Sequence, residues 1–292
     1  MTECNMCPRE CLVRRDMGEL GYCGQTDTMR ISRIALHPFE EPPISGRNGS
    51  GTVFFCGCSL GCVLCQNKDI RHGAVTGREY TPEQLAEEML RLEAMGATNI
   101  NLVTATHFTD KVAEALRLVK SELRIPVVWN SSGYEKVETL ELLRGLVDVY
   151  LPDLKYFSSD NAKKYSKAPD YPRVAVSAIR EMYRQVGKYR YAEDGTLSSG
   201  VVVRHLVLPG CRKDSISVIE ELARTVPPTD VLLSLMSQYT PEFALECEYE
   251  NLHRRITRFE YSSVLDVAER LGFDGFSQSP SSAVSDYTPN FS

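Results

Sequence analysis

The stretch that decides the fold is residues 51–65, GTVFFCGCSLGCVLC, in which a short apolar run leads directly into closely spaced cysteines. The run is rich in β-branched and aromatic residues, which is typical of a buried strand. Cys58, Cys62 and Cys65 follow with the spacing C-x3-C-x2-C. Because thiolates are the usual ligands of iron–sulfur clusters, this loop can hold three corners of a [4Fe–4S] cube. With no fourth ligand nearby, one iron would keep an open position for a substrate or cofactor.

The alternative interpretation of the three cysteines is a structural zinc site or a set of unconnected buried thiols. Structural zinc normally has four ligands, often supplied as C-x2-C pairs. A loop with three cysteines and no adjacent fourth ligand fits that arrangement poorly. The spacing therefore favours a cluster with one incompletely ligated iron.

The motif and its preceding strand resemble the signature of the radical S-adenosylmethionine (SAM) superfamily. The surrounding residues are similar to its pyruvate formate-lyase activating enzyme-like branch, over nearly the whole chain. The resemblance implies that SAM chelates the open iron. It also implies a flavodoxin- or ferredoxin-type electron donor, whose electron leads to cleavage of SAM into methionine and a 5′-deoxyadenosyl radical. One departure is Leu64, where the superfamily usually has an aromatic residue that packs beside the adenine.

Composition and charge limit the classes of function. The chain has 292 residues, 42% hydrophobic and 25% charged, which is ordinary for a globular protein of one large or two modest domains. A net charge of −6 predicts no general attraction to nucleic acid or to an anionic membrane. No apolar run approaches the length of a membrane span, and the polar start does not resemble a secretory signal. The ten cysteines, grouped at metal-like spacings, therefore indicate a reducing cytoplasm.

A second cysteine group, Cys4, Cys7, Cys11 and Cys23, lies at the start of the chain among turn-forming glycines and a proline. Such a segment has little apolar content, so it is predicted to be a compact, turn-rich unit, here called the knuckle, whose fold is held by a bound metal. The resemblance supports this, since related proteins share the group. Zinc with four cysteines would be purely structural, whereas an auxiliary iron–sulfur cluster would relay electrons. A knuckle without metal is the third alternative.

The segment after this knuckle is predicted to be an ordered connector, because prolines at positions 38, 42 and 43 disfavour a regular helix or a central strand. We therefore expect a cysteine-rich metal-binding extension and connector over residues 1–50, and a barrel with a C-terminal extension over residues 51–292. The glycine-rich stretch at 44–51 lacks the Gly-Lys-Ser/Thr ending of a phosphate loop. Glu40, Glu41 and Ser45 match the family pattern, which implies that they line the entrance of the site. The alternative is that they belong to a solvated loop.

The rest of the chain alternates predicted strands and helices, which indicates parallel β/α units with right-handed crossovers. Six units match the partial (β/α)6 TIM-type barrel of the superfamily, and thus an α/β fold. A tail after Gln278, rich in serine and proline, is expected to lie on the surface or to be mobile. The predicted strands are 52–55, 99–103, 126–129, 147–151, 201–208 and 231–235. The predicted helices are 82–95, 110–123, 137–143, 172–186 and 216–225.

If the barrel is correct, the carboxyl ends of its strands face the chemistry. The predicted cofactor contacts there are Thr104, Thr106, His107, Asn130, Ser132, Asp153, Lys155, Arg204 and Gln238. By resemblance, Asp153 and Lys155 match an Asp-x-Lys pair that contacts the methionyl and ribose parts of SAM. Arg204 carries a planar guanidinium suited to a carboxylate. His107 lies where many relatives place a Gly-Gly-Glu motif that holds the amino group of SAM.

Each of these assignments has an alternative. Asp153 and Lys155 point the same way on a strand and could form only a salt bridge, and His107 could be a satisfied loop histidine. Arg204 and His205 alternate, so only one can face inward, and Arg204 is preferred. The stretch 237–239 could close over the adenine or the substrate.

Six other residues receive a weaker interpretation or none. Tyr134, Gln66 and Asn67 have only proximity to predicted site residues, and Cys56 is expected to be buried. Cys211 could donate a hydrogen atom or ligate a cluster, although a plain loop cysteine is preferred; no role is assigned to Cys247.

The expected function is that of a radical SAM enzyme that abstracts a hydrogen atom from an unidentified substrate. One alternative is a glycyl-radical activating enzyme, whose substrate is a glycine in a partner protein. The other is an iron–sulfur electron carrier or redox sensor without SAM chemistry, which would need neither SAM contacts nor a large cavity; the open-iron spacing and the barrel pattern argue against it.

Overall fold

A ten-stranded, mostly parallel sheet organises the chain. The structure is a computed structural model that describes residues 3–71 and 77–277. The strands are β1 (Arg30–His37), β2 (Ser50–Phe55), β3 (Arg78–Glu79), β4 (Ile100–Val103), β5 (Val127–Ser131), β6 (Val149–Pro152), β7 (Arg190–Tyr191), β8 (Leu197–Leu206), β9 (Leu232–Met236) and β10 (Asp274–Ser277). The α-helices are α1 (Pro42–Ser45), α2 (Lys68–Arg71), α3 (Pro82–Ala94), α4 (Thr109–Val119), α5 (Val137–Leu140), α6 (Ser159–Ser166), α7 (Tyr171–Val186), α8 (Arg212–Thr225) and α9 (Arg258–Arg270).

The sheet order is β10-β9-β8-β6-β5-β4-β2-β1-β3, with β7 paired to β8. Neighbours from β2 to β10 are parallel, whereas β1 and β3 run antiparallel at one edge. Over the described residues the sheet stays open, which confirms the predicted α/β class and agrees with a partial TIM-type barrel. All six predicted strands are present, and β10 adds a seventh parallel strand.

The helices follow from local signals as well as from periodicity. Thr81 caps α3 in a capping box with Gln84, and Thr257 does the same for α9 with Glu260. The five predicted helical stretches correspond to α3, α4, α5, α7 and α8, with the end of the third forming a 3₁₀ turn. The sequence interpretation missed α6 and α9, as well as the short helices α1 and α2. Among the described helices, none has the length and apolar character needed to cross a bilayer.

The prediction that the segment after the knuckle is a connector without regular structure is wrong for Arg30–His37, which form β1. β1 pairs with β2 from Ile31 opposite Phe55 to His37 opposite Ser50. The prolines come only after this strand, and Pro42 begins α1, since the first turn of a helix tolerates a missing N–H. The predicted tail after Gln278 lies outside the described residues.

The two faces of the sheet bury different sets of residues. One face carries Trp129 and Tyr150 in the main hydrophobic cluster, together with apolar side chains of the helices. The opposite, inner face carries a small apolar cluster in which Ile44 of α1 packs with Val128 and Val149. Because side chains alternate along a strand, polar residues that follow this inner cluster toward the carboxyl ends must also face inward.

Gly133 fixes the distance between the carboxyl ends of β5 and β6. Its φ is +73°, and a Cβ added there would lie 2.3 Å from the Asp153 carbonyl oxygen. Gly145, with φ +72° and no described atom within 4 Å of such a Cβ, offers the same backbone conformation without the contact.

We predict that Gly133→Ala lowers the free energy of unfolding by at least about 3 kcal/mol, because a backbone carbonyl cannot move without displacing β6. Gly145→Ala should cost only about 1–2 kcal/mol, the strain of a left-handed conformation. Denaturant unfolding of both variants measures the difference. Equal losses would contradict a close packing of the two strand ends.

Candidate functional site

A cavity of about 250 Å³ lies over the carboxyl ends of the inner strands. Its walls combine the cysteine loop with polar side chains from neighbouring strands and with an aromatic patch. The predicted site residues that line it are Cys58, Cys62, Cys65, Gln66, Asn67, Thr104, Asn130, Ser132, Asp153, Lys155, Arg204, Gln238 and Tyr239. The structure thus brings together groups that are up to 181 positions apart, from Cys58 to Tyr239.

A larger groove, of about 860 Å³, lies on the surface where Gly210 and Cys211 lead into α8. Its lining includes Lys164 and Arg212 but none of the three cysteines of the loop. Cys211 approaches Tyr165 Oη at 3.6 Å there, away from the smaller cavity. The smaller cavity is therefore the candidate site, and Cys211 stays a loop cysteine.

The cysteine loop holds its sulfur atoms inside the cavity with few hydrogen bonds. The Leu60 N–H donates to Cys58 Sγ at 3.4 Å, and Ser166 Oγ donates to Cys62 Sγ at 3.1 Å. All ten cysteines are free thiols. Burial, followed by the charges of the neighbouring thiols, raises the pKa of Cys58 and raises that of Cys65 to about 12. These thiols are therefore neutral at pH 7 until a metal replaces their protons.

The donor set fits an iron–sulfur cluster better than a single ion. Thiolates are the ligands that such clusters use, and three of them face one cavity. Across the described residues, no three His, Cys, Asp or Glu side chains are arranged to hold one metal ion. A cluster requires a wider arrangement of ligands than a single ion, because each thiolate binds its own iron and the cysteine sulfur atoms are therefore farther apart.

A buried network of charges lies beside these thiols. Lys155 Nζ lies 2.7 Å from Asp153 Oδ2, and Arg204 Nε lies 3.3 Å from Asp153 Oδ1. Arg204 Nη1 also lies 3.2 Å from Glu40 Oε2, and Arg204 donates a second hydrogen bond to Asn130 Oδ1. Two cations thus balance two carboxylates on the inner face of the sheet.

The network keeps its charges despite burial. Burial alone would raise the pKa of Asp153, but the charges of Lys155 and Arg204 outweigh it and hold that pKa low. Burial likewise opposes the charge of Lys155, and the Asp153 carboxylate outweighs it, so the Lys155 pKa is raised. Both groups are ionised at neutral pH and can contact a zwitterionic ligand.

Arg204, rather than His205, faces the cavity, as the alternation of β8 predicts. His205 lies on the other face, where its Nδ1 is 2.6 Å from the Leu154 carbonyl oxygen. Ser132 Oγ is buried in the cavity wall and makes no hydrogen bond to any described residue. Such a group can contact a bound ligand.

Two predicted cofactor contacts, Thr106 and His107, do not line the cavity. His107 is buried behind the cysteine loop, where its Nε2 donates to the Cys56 carbonyl at 2.7 Å; burial lowers its pKa to about 3. Thr106 Oγ1 donates to Glu135 at 3.0 Å. The chain turns into a 3₁₀ segment at Thr106–Phe108, which directs both side chains away, and only Thr104 of this stretch reaches the site.

The sequence interpretation left Glu40 undecided and missed Glu135. Glu40 Oε1 accepts hydrogen bonds from Asn101 at 2.9 Å and from Asn130 at 3.2 Å, so it belongs to the cavity floor. Glu135 is buried and accepts from Trp129 Nε1 at 2.8 Å and from Ser131 Oγ at 2.6 Å, both on β5, so together with the bond from Thr106 it joins β5 to the segment after β4. The only signal for Glu40 was its match to the family pattern.

The remaining candidates have structural contacts. Ser45 Oγ accepts from the Glu40 N–H at 2.9 Å, and Tyr134 Oη donates to Asp170 at 2.8 Å. Cys56 is buried, as expected, and it does not line the cavity; neither does Cys247.

The four N-terminal thiols converge in a separate place. Burial, assisted by the charges of the other three thiols, raises the pKa of Cys7 to about 12. A Cβ added to Gly21 would lie 3.4 Å from Cys23 Sγ and 3.8 Å from Cys11 Sγ. These sulfur atoms are therefore neighbours, although they do not form the compact arrangement that one ion requires.

Comparison with known proteins agrees with this geometry. The chain is 29% identical over 284 residues to the uncharacterised protein MJ0674 of Methanocaldococcus jannaschii. The aligned region covers 93% of this chain and 75% of that protein. Streptococcus suis SuiB bound to its precursor peptide SuiA superimposes with a TM-score of 0.51 and 11% identity over 77% of this chain. SuiB bound to S-adenosylmethionine gives a TM-score of 0.52 and 11% identity over 76%. The chain spans about half the length of these solved structures, 48% in each case, and the likeness is one of fold.

A family comparison covers the barrel itself. The model of the Radical SAM superfamily matches residues 52–225, from β2 through α8, and this span is more than half of the chain. It contains the three-cysteine loop and most of the charged network. The chain therefore belongs to the radical SAM superfamily.

Proposed function

We propose that this protein is a radical SAM enzyme in which Cys58, Cys62 and Cys65 hold a [4Fe–4S] cluster and SAM fills the open coordination position. The observation that carries the proposal is the shared cavity, in which three thiols face the ionised groups of Asp153, Lys155 and Arg204. When bound, the cluster and SAM supply reductive cleavage of SAM and abstraction of a hydrogen atom from a substrate.

Different residues of the chain would contact the cluster and SAM. Burial raises the pKa values of Cys58 and Cys65, and the nearby positive charge of Lys155 offsets a small part of that rise, which favours their thiolate forms. Arg204 offers a planar guanidinium to a carboxylate, and the Ser132 hydroxyl offers a further polar contact. Asn130, Thr104 and Gln238 are the other proposed polar contacts.

An aromatic patch, formed by His37 at the end of β1, Phe39 after it and Phe54 of β2, also lines the cavity. The ring of His37 lies 5.4 Å from that of Phe39 and 5.9 Å from that of Phe54, both edge to face. Burial, followed by the charge of Arg33, lowers the His37 pKa, so the patch is uncharged at pH 7. We propose that it contacts the adenine or the substrate, a role that the superfamily usually gives to an aromatic at the position of Leu64.

Two versions of this proposal differ in the class of substrate. Glycyl-radical activation requires a partner protein, whereas SuiB, with a similar fold, binds a precursor peptide. We propose an unidentified small molecule or peptide as the substrate and a partner glycine as the alternative. A flavodoxin- or ferredoxin-type donor would supply the electron. An iron–sulfur carrier without SAM is disfavoured, because it would need no charged cavity beside the cluster.

We further propose that Cys4, Cys7, Cys11 and Cys23 bind a second metal, either zinc or an auxiliary iron–sulfur cluster. The convergence of their thiols supports this assignment. The chain would then have a metal-binding extension followed by the barrel, with the extension ending before β1 because β1 belongs to the sheet. Ten free thiols agree with a reducing cytoplasm as the proposed location.

We predict that anaerobic reconstitution gives about four irons at the loop cysteines, and that dithionite with SAM yields 5′-deoxyadenosine. Cys58→Ala should abolish this cleavage, because one corner of the cluster loses its ligand. Cys247→Ala, outside the cavity, is the matched control. Iron analysis and chromatography of the nucleoside product provide the measurements.

Continued cleavage by Cys58→Ala would overturn the assignment of the loop. Intact cluster binding without any SAM cleavage would support the electron-carrier alternative. A glycyl-radical signal in a partner protein, detected by electron paramagnetic resonance, would favour activation over turnover of a small molecule or peptide.

Arg204→Gln is predicted to weaken SAM binding about 30-fold, since a charged hydrogen bond is worth about 2 kcal/mol. Isothermal titration calorimetry on the reconstituted protein measures the dissociation constant. Arg224→Gln, which alters a surface ion pair of α8, should leave it unchanged. An unchanged affinity in a folded Arg204→Gln variant would remove Arg204 from the SAM site.

Cluster assembly is predicted to become faster between about pH 7 and about pH 9, because metal binding requires thiolates. The raised pKa values of Cys58 and Cys65 leave these thiols protonated at the lower pH, and each added pH unit increases their ionised fraction. The initial rate of iron uptake, corrected with a Cys58/Cys62/Cys65→Ala variant, measures the effect. A flat or falling rate would contradict the burial of these thiols.

A further inference from the structure

The N-terminal knuckle, residues 4–25, lies directly against the loop that carries Cys58, Cys62 and Cys65. Arg9 is its principal contact, and its guanidinium donates to four carbonyl oxygens. Two of them, those of Ser59 and Leu60, belong to the loop and lie 2.9 Å from Arg9 Nε and Nη2. The other two, those of Ser166 and Lys167 at the end of α6, lie 2.8 and 2.6 Å away. One side chain thus joins the loop to the helix that carries the Ser166 hydroxyl to Cys62.

The knuckle touches the loop at two further points. Gly61 has φ +68°, and a Cβ there would lie 3.2 Å from Tyr22 Oη. Gly57 has φ +85°, and a Cβ there would lie 2.5 Å from the Cys23 carbonyl oxygen. Residues on both sides of Cys58 are therefore in close contact with the knuckle.

The same residues are tied to the four knuckle thiols. Arg9 lies between Cys7 and Cys11 in the sequence, and its guanidinium carbon stacks 3.8 Å from the centre of the Tyr22 ring. The Tyr22 N–H donates to Cys11 Sγ at 3.2 Å. Whatever fixes these thiols also fixes the two side chains that contact the loop.

The knuckle is also held to the barrel independently of the loop. Thr139 Oγ1 donates to the Met6 carbonyl at 2.8 Å, and Arg15 Nη1 donates to the His107 carbonyl at 2.7 Å. Lys136 Nζ lies 2.9 Å from Glu10 Oε1. The knuckle can therefore transmit the position of the strand ends to the loop.

We propose that the knuckle is the positioning element of the cluster loop, that Arg9 is its positioning residue, and that metal binding by the four knuckle thiols fixes Arg9 in place. This inference rests on the proposed cluster and second-metal sites. Without the metal, the short polar segment has few apolar contacts to fix its conformation. With Arg9 in place, the loop presents its three cysteines in one arrangement.

The first test compares Arg9→Gln and Arg9→Lys with the surface control Arg180→Gln, using the full chain without added iron. Hydrogen–deuterium exchange of the peptide covering residues 57–65 should accelerate at least about tenfold in both Arg9 variants. Lysine keeps the charge, but it lacks the planar fork that reaches four carbonyls at once, so it should not rescue the protection. If Arg9→Gln does not fold, Arg9→Lys carries the comparison. Unchanged exchange in a folded Arg9 variant would overturn the role of Arg9.

The second test measures the reconstituted protein. Iron release to a chelator should be about tenfold faster in the Arg9 variants, and the electron paramagnetic resonance spectrum of the reduced cluster should differ from wild type. Cys7→Ser should reproduce both effects through loss of the knuckle metal, whereas Cys247→Ser should reproduce neither. A Cys7→Ser variant with normal loop exchange and iron release would show that the knuckle metal does not position Arg9.

The two tests separate this inference from the proposed function. Failure of the wild-type protein to bind iron at the loop, with Arg9-dependent exchange intact, would remove the cluster and leave the positioning role. SAM cleavage at the wild-type level, together with wild-type exchange in both Arg9 variants, would remove the positioning role and leave the enzyme.

Discussion

The buried ion pairing of Arg204 with Asp153 and Glu40 is the constraint on which the inner face depends. Taking charges out of water costs several kcal/mol for each ion unless close partners compensate. Here each charge lies on a different segment of the chain, so compensation requires β8, the end of β6 and the stretch after β1 to meet at one point. Such pairing is weak evidence for stability, and its value lies in holding charged groups at the wall of a cavity.

This constraint explains why the stretch after β1 folds inward rather than lying on the surface. Pro38 ends the strand, and the following residues carry Glu40 to Asn101 on β4, Asn130 on β5 and Arg204 on β8. Ile44 of α1 then fills the apolar part of the inner face. A segment with prolines and two glutamates would otherwise be expected in solvent, and only the partners on the strands make its burial favourable.

The sequence was sufficient for six of the parallel strands and for five of the helices because their apolar runs and periodicity are local. The same holds for Arg204, whose inward direction follows from alternation along β8. It was not sufficient for β1, because the prolines that follow this strand led to the prediction of a connector. It was also not sufficient for His107, whose side-chain direction depends on a 3₁₀ turn that has no recognisable local sequence pattern. Glu40 depends on partners 61 and 90 residues away, which the sequence alone does not reveal.

The cavity wall combines charged, thiol and aromatic groups that come from different segments of the chain. Residues that hold charge lie on the strand ends around Asp153, and the thiol loop beside them is held from outside by the knuckle through Arg9. The aromatic rings of His37, Phe39 and Phe54 add an uncharged surface to the same wall. The end of β1 and the stretch after it thus supply both an uncharged surface, at His37 and Phe39, and a charged group, at Glu40. The proposed contact of the adenine or the substrate with this surface would therefore lie beside the buried ion pairs.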